Sequence, residues 1–350
     1  MVRIEPPQPT QPKPTIAVSL GDPGGIGAEC LVKALADRDR RKRARYRVFG
    51  SAEPLRLAAD RAGLGHDWWS VPAGSTLEPS EAHDVVLIDS GGEGFEARPT
   101  KHGGALSFGW VESAIEACRA CRAQAMVTGP ISKEAWALAG KKRFPGHTEL
   151  LAERFGAKRV AMLFESDELR VILATAHVPL MDIRNVLTIG KVFDAIDLGH
   201  AACRQLGIAE PRIAVCGLNP HAGEAGLLGD EEARIIRPAI EHAVRSGIRA
   251  EGPLPGDTVF NQARRRAGGR RGGFDLVVAM YHDQGLIPVK LLAWDRAVNV
   301  TCGLPTPRTS PDHGTAFDLV GRDAADPGSM GAALDLAVRL SALPAPAQGS

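Results

Sequence analysis

Three histidines each close a short apolar run. His282 follows Leu-Val-Val-Ala-Met-Tyr from residue 276, His177 follows Val-Ile-Leu-Ala-Thr-Ala from 171, and His221 ends Ile-Ala-Val-Cys-Gly-Leu-Asn-Pro from 213. Apolar runs of this length read as buried strands, and parallel α/β sheets bind ligands just past the carboxyl ends of their strands. Three neutral imidazoles with an open fourth position can hold a catalytic divalent metal. The residues alone leave a second reading open, in which each histidine is a cap or a buried structural group. Lys290, Arg308, His147 and Asn299 supply donors suited to a phosphate or carboxylate. Taken one at a time, each is more ordinarily a surface polar residue. Asp257, Asp283 and Asp312 could orient a metal-binding histidine or act as bases. No Ser–His–Asp pattern is supported by the order of the residues.

The elements that must position these groups follow an alternating β and α pattern, which predicts a mostly parallel α/β fold. Thr15–Leu20 predicts a strand that runs through the glycine turn Gly21-Asp22-Pro23-Gly24-Gly25-Ile26-Gly27 into a helix. That spacing is not the dinucleotide fingerprint G-x-G-x-x-G. Further strands are predicted at 45–50, 85–89, 125–128, 160–165, 171–176, 213–216, 276–281 and 297–301. Helices are predicted at 100–122, 190–206, 231–246 and 329–343. Thr148 and Asp257 are placed to cap helices, and the helix start at Thr148 suits an anion. Residues 252–258 read as a rigid turn, and 303–318 as a long polar loop of the kind that is usually functional.

The totals narrow the function classes. The chain has 350 residues, long enough to bury a large core, and its 42 basic and 41 acidic residues leave a net charge of +1. Such a balance provides no broad field for nucleic acid or an anionic membrane. No run of 18 apolar residues predicts a membrane span. The first 14 residues are proline-rich and predict a disordered tail rather than a signal peptide. Arg38–Arg45 reads as a solvated helix end. The Arg/Gly stretch 264–273 reads as a surface loop rather than an RNA site, since it has five arginines and no aromatics. Cys118 and Cys121 form a C-x-x-C without a preceding strand, so reduced cysteines of a cytoplasmic protein are expected in place of a redox or zinc motif.

Eight stretches together resemble the 4-hydroxythreonine-4-phosphate dehydrogenase family of pyridoxal phosphate biosynthesis. They are GDPGGIGAE (21–29), TGPISKEA (128–135), PGHTE (145–149), ATAHVPL (174–180), GLNPHAGE (217–224), GPLPGDT (252–258), MYHDQGLIPVK (280–290) and GLPTPRTSPDHGTAFDLVG (303–321). They run in order over nearly the whole chain. The departures are Ala28 where proline is common, the Arg/Gly stretch and the N-terminal tail.

The resemblance implies a two-lobed α/β/α fold like that of isocitrate and isopropylmalate dehydrogenases. Residues 15–130 with 303–345 would form a nucleotide-side lobe. Residues 131–302 would form the lobe for metal, substrate and dimerisation. It implies a homodimer whose active site lies at the subunit interface. His177, His221 and His282 correspond to ligands of one divalent metal (zinc, cobalt or magnesium). His147, Thr148, Lys290, Asn299 and Arg308 correspond to substrate contacts, with Lys290 or Asp257 in proton transfer. His313, Gly314, Thr315 and Asp318 lie on the expected loop for NAD or NADP. The implied reaction oxidises and decarboxylates a small phosphorylated hydroxy acid. The alternatives are a relative acting on D-threonate or D-erythronate 4-phosphate, one acting on a cis-dihydrodiol carboxylate, and a non-catalytic metabolite-binding protein.

Overall fold

The computed structural model describes residues 13–75, 82–264 and 273–342. The proline-rich tail up to residue 12 and residues 265–272 of the Arg/Gly stretch lie outside the described residues. The strands are β1 Thr15–Ser19, β2 Arg45–Gly50, β3 Trp69–Pro72, β4 Val85–Asp89, β5 Ala125–Thr128, β6 Ala161–Glu165, β7 Arg170–Leu173, β8 Ile213–Cys216, β9 Ala250–Leu254, β10 Leu276–Ala279, β11 Val298–Cys302 and β12 Arg308–Pro311. Among the described residues they form one 12-stranded sheet in the order β3-β4-β2-β1-β5-β12-β11-β6-β7-β10-β8-β9.

Two blocks of parallel strands meet at an antiparallel joint. β3, β4, β2, β1, β5 and β12 run parallel. β7, β10, β8 and β9 also run parallel to one another. Between the blocks, β11 is antiparallel to β12 and to β6, and β6 is antiparallel to β7. Strands β5, β7, β8 and β10 are buried along their whole length. This is what their unbroken apolar sequences require, since a parallel sheet is covered on both faces. Where the winding of such a sheet changes, a crevice opens beside the strand ends.

The turn after β1 is pressed against the turn after β5. Gly21 has φ +91°, and a Cβ there would lie 2.4 Å from the Pro130 carbonyl oxygen. Only glycine fits both the backbone conformation and the space.

Several expectations are corrected. The stretch 303–318 is not an unbroken loop. Its Arg-Thr-Ser-Pro segment becomes β12 because β5 and β11 pair with it on either side. Residues 231–246 are not one regular helix. A π-turn, Glu232–Ile236, precedes the helix Arg237–Arg245. Pro238 has no N–H to close the α-helical bond there, and a widened turn results. Part of the rigid turn 252–258 is the edge strand β9, where proline is tolerated. Thr148 and Asp257 cap nothing. The helix His147–Phe155 starts at Gly146 and the helix Val259–Ala263 at Thr258, each without a side-chain cap bond.

The basic run does form a solvated helix, Arg38–Arg43, with Asp37 accepting from the N–H groups of Asp39 and Arg40. Cys118 is buried on the helix Lys101–Arg119, where burial pushes its thiol up to about 12. It and Cys121 are free. No helix among the described residues is long and apolar enough to cross a membrane.

Candidate active site

A cleft of about 760 Å³ opens over the antiparallel joint. Its floor follows from the two-residue period of strands. Arg308 and Ser310 of β12 share one face, as do Met162 and Phe164 of β6, and all four line the cleft. Between them, Asn299 of β11 pairs with both Ser310 and Phe164. One wall is the helix His282–Ala293, which contributes Leu286, Ile287 and Lys290. His147 and Thr148, at the first turn of His147–Phe155, form another part of the rim.

The floor is built to receive an anion. Arg308 is only 3% exposed. Its Nε and Nη2 donate to Thr128 Oγ1 at 3.2 and 2.6 Å, and its Nη1 donates to Thr301 Oγ1 at 2.9 Å. Hydroxyls satisfy its geometry but not its charge, and burial pulls its pKa down to about 9. Beside it, His147 Nε2 is shielded from solvent and has no partner. Burial, reinforced by the charges of Arg308 and Lys133, holds the His147 pKa well below the usual imidazole value. Its ring is therefore neutral at pH 7 and can donate one N–H. Asn299 Oδ1 is likewise buried and unpartnered. An orphaned polar atom at a cleft floor calls for a ligand partner.

Lys290 is already engaged. Its Nζ donates to the Asp312 backbone carbonyl at 2.7 Å and meets the Asp312 carboxylate at 2.6 Å, 5.1 Å from the Trp294 ring centroid. Burial raises the Asp312 pKa against the opposing pull of Lys290.

The three histidines follow adjacent strands, β7, β10 and β8, but only two meet. His177 and His282 line the cleft with ring centroids 5.8 Å apart. Burial, then the charges of Lys133 and His282, lower the His177 pKa, so its ring is neutral and able to act as a ligand. Asp283 Oδ1 lies 2.7 Å from His282 Nδ1. That contact fixes the ring and leaves Nε2 free, as in many metal-bound histidines. His177 and His282 thus fit a divalent cation as two of its ligands. His221 does not line the cleft. Its side chain is 65% exposed, in the loop after β8. Asp257 is exposed in the turn after β9, outside the cleft. Among the described residues, no group of three or more His, Cys, Asp or Glu side chains forms a metal cage.

At the other end, His313 and Gly314 line the cleft, and His313 Nε2 is buried without a partner. Thr315 does not line it. Instead, its carbonyl accepts from the Ile26 N–H at 3.0 Å, which docks the 313–318 segment on the Gly21–Gly27 turn. Asp318 is exposed in the short turn Phe317–Leu319. The two stretches read separately as a glycine turn and a nucleotide loop are therefore packed together, and the absence of a side chain on Gly25 makes room for Thr315, whose carbonyl oxygen a Cβ there would meet at 3.0 Å. Sequence reasoning assigned no role to Thr128, Thr301, Ser310 or Lys133. Thr128, Lys133 and Ser310 stood inside quoted stretches, but only the pairing of β5, β12 and β11 shows what Thr128 and Thr301 do.

Comparison with known proteins agrees over nearly the full chain. The family described as pyridoxal phosphate biosynthetic protein PdxA matches residues 42–337. The 4-hydroxythreonine-4-phosphate dehydrogenase of Beijerinckia indica is 46% identical, covering 93% of this chain and 94% of its own. The D-threonate 4-phosphate dehydrogenase of Cupriavidus necator is 42% identical over 91% of this chain and 94% of its own. The crystal structure of 4-hydroxythreonine-4-phosphate dehydrogenase from Klebsiella pneumoniae superposes with a TM-score of 0.80 at 36% identity, covering 94% of this chain and all of that one. The chain belongs to the pyridoxal phosphate biosynthetic protein PdxA family.

Proposed function

We propose that this chain is an NAD-dependent and divalent-metal-dependent dehydrogenase. It oxidises and decarboxylates 4-phosphohydroxy-L-threonine to 3-amino-2-oxopropyl phosphate, CO2 and NADH, in the cytoplasm. The observation that carries the reading is one cleft holding two kinds of unfinished chemistry. Arg308, His147 Nε2 and Asn299 Oδ1 await an anion and a donor. The His177–His282 pair awaits a cation.

In this reading Arg308 and His147, with Thr148, hold the phosphate or carboxylate oxygens, and Asn299 accepts from the substrate's amine or hydroxyl. Lys290 and Asp312 form an acid–base pair in the same cleft as His177 and His282, and Lys290 moves the proton. Asp257 is exposed and does not line the cleft, so it does not reach the substrate from within one chain. His177 and His282 would hold a divalent cation, which would supply Lewis acidity, lowering the pKa of the substrate hydroxyl and countering the charge that develops on its oxygen on loss of CO2. The joined surface of His313-Gly314-Thr315 and the Gly21–Gly27 turn, with Asp318 at its rim, is where this chain would hold NAD, which would supply the hydride acceptor.

The site is completed by a second copy of the chain. Exposed apolar side chains lie on the elements that carry the histidines: Ile287, Leu291 and Trp294 along one face of the His282–Ala293 helix, and Leu180, Met181 and Leu227 in the segments after β7 and β8. Leu291 and Leu227 are 80% and 83% exposed, an unusual state for leucines that face only water. A homodimer through this surface would bring His221 of the partner subunit to the His177–His282 pair. The two lobes follow the sheet: residues 15–130 with 303–342 carry one parallel block, and 131–302 carry the rest.

D-Threonate 4-phosphate is the second reading, supported by the Cupriavidus necator relative. It carries a hydroxyl in place of the amine, and Asn299 Oδ1 can accept from either. The test is NADH formation from each substrate, with a divalent metal and with a chelator. Metal-dependent turnover of the amino acid is expected. Turnover that a chelator leaves intact, or no turnover of either compound, contradicts the reading.

A further inference from the structure

The loop that presents His221 is held in an improbable conformation by one buried carboxylate. Residues 221–225 are all left-handed, with φ of 51, 53, 83, 43 and 54°, and four of the five are not glycine. Such backbone persists only where its surroundings over-determine it. Here they converge on Glu232, which is 3% exposed. Its Oε1 accepts from the backbone N–H groups of both Leu218 and Asn219 at 2.7 Å. Its Oε2 accepts from the Asn219 side-chain amide at 3.0 Å, while the same amide donates to Glu231 Oε2 at 2.8 Å. A Cβ on Gly223 would come within 2.7 Å of Glu232 Oε2, so the carboxylate also fills the inside of the left-handed turn. The π-turn Glu232–Ile236 begins at this residue, and widened turns of this kind recur at functional sites.

We propose that Glu232 is the positioning residue for His221. It fixes the loop so that an exposed imidazole stands in one place for the metal site, two peptide groups away from the atoms it holds. The inference rests on the metal reading above and names a residue that reading does not use. Loss of the carboxylate frees the loop, and the third ligand then has to be ordered at the moment of binding.

The test is cobalt affinity of the purified dimer by calorimetry, together with hydrogen exchange at the Leu218 and Asn219 amides without metal. Glu232→Gln keeps the side chain's size but sets an amide against that of Asn219. Asn219→Ala removes the side-chain bond and keeps both backbone bonds. Glu232→Gln is expected to weaken cobalt binding by about 10–100-fold, the range for residues that orient ligands, and to speed exchange at both amides. Asn219→Ala should lose less on both counts. A His221→Ala control separates the two claims. If it loses cobalt while Glu232→Gln binds and exchanges as the parent does, the positioning role is overturned and the metal reading stands. If His221→Ala binds cobalt normally, both fall. Should Glu232→Gln fail to fold, Asn219→Ala decides: unchanged affinity and exchange overturn the proposal.

Discussion

The Nδ1 of His282 lies 2.7 Å from Oδ1 of Asp283, its neighbour in sequence, at the first turn of a helix whose other end carries exposed apolar side chains. A single turn thereby fixes one ring nitrogen and leaves the other for a cation. Asp283 is itself well exposed, with 73% of its side-chain surface accessible. Asp283→Ala should therefore leave the melting temperature unchanged. It should cost about 10–100-fold in metal affinity by releasing the ring. Titration of the variant with cobalt and a thermal melt without it check both halves.

Arg308 predicts the same division between binding and stability, for a different reason. Its buried charge is met by the hydroxyls of Thr128 and Thr301 rather than by a carboxylate. An uncompensated buried cation is a cost to the fold. Arg308→Met should leave the ligand-free melting temperature level or higher. It should also raise KM for a phosphorylated substrate by about 10–100-fold, the worth of one or two charge-assisted hydrogen bonds. A variant that loses both stability and binding would show that Arg308 is a structural residue.

Asp22, in the turn after β1, makes stability depend on pH. Its carboxyl is buried, Oδ1 accepts from the Gly24 N–H at 3.0 Å and Oδ2 has no partner. Burial, against that one bond, raises its pKa to about 6 from 3.8. The folded chain therefore holds the proton more tightly than the unfolded one. Its contribution is fully present below pH 3.8 and is lost as pH rises through 6. Asp22→Asn should be neutral near pH 4 and stabilise by on the order of 1–3 kcal/mol at pH 8. Denaturant melts at the two values measure it; an equal effect at both would contradict the account.

The fold was legible wherever burial alone makes a strand. Val171–Leu173, Ile213–Cys216 and Leu276–Ala279 are apolar throughout, and each lies inside a sequence-predicted strand. β12 was not legible, because Arg308–Pro311 becomes a strand through its neighbours rather than through its own residues. For the candidate site, the order β7-β10-β8 puts the histidine-bearing loops side by side. It does not determine which ring meets which, and His221, the first of five left-handed residues, stands apart with its side chain 65% exposed. The joining of Thr315 to Ile26 was equally hidden, since the two are 289 positions apart and meet through backbone atoms alone.

Subunit complementation bears most directly on the proposal that a metal site is divided between two subunits. His221→Ala and His282→Ala protomers, each inactive alone, are unfolded, mixed and refolded together. Half of the dimers then pair unlike chains, and each of those has one site with His177 and His282 from one protomer and His221 from the other. Metal-dependent NADH formation should return to about a quarter of the wild-type value. A mixture as inactive as its parts would contradict a site divided between subunits.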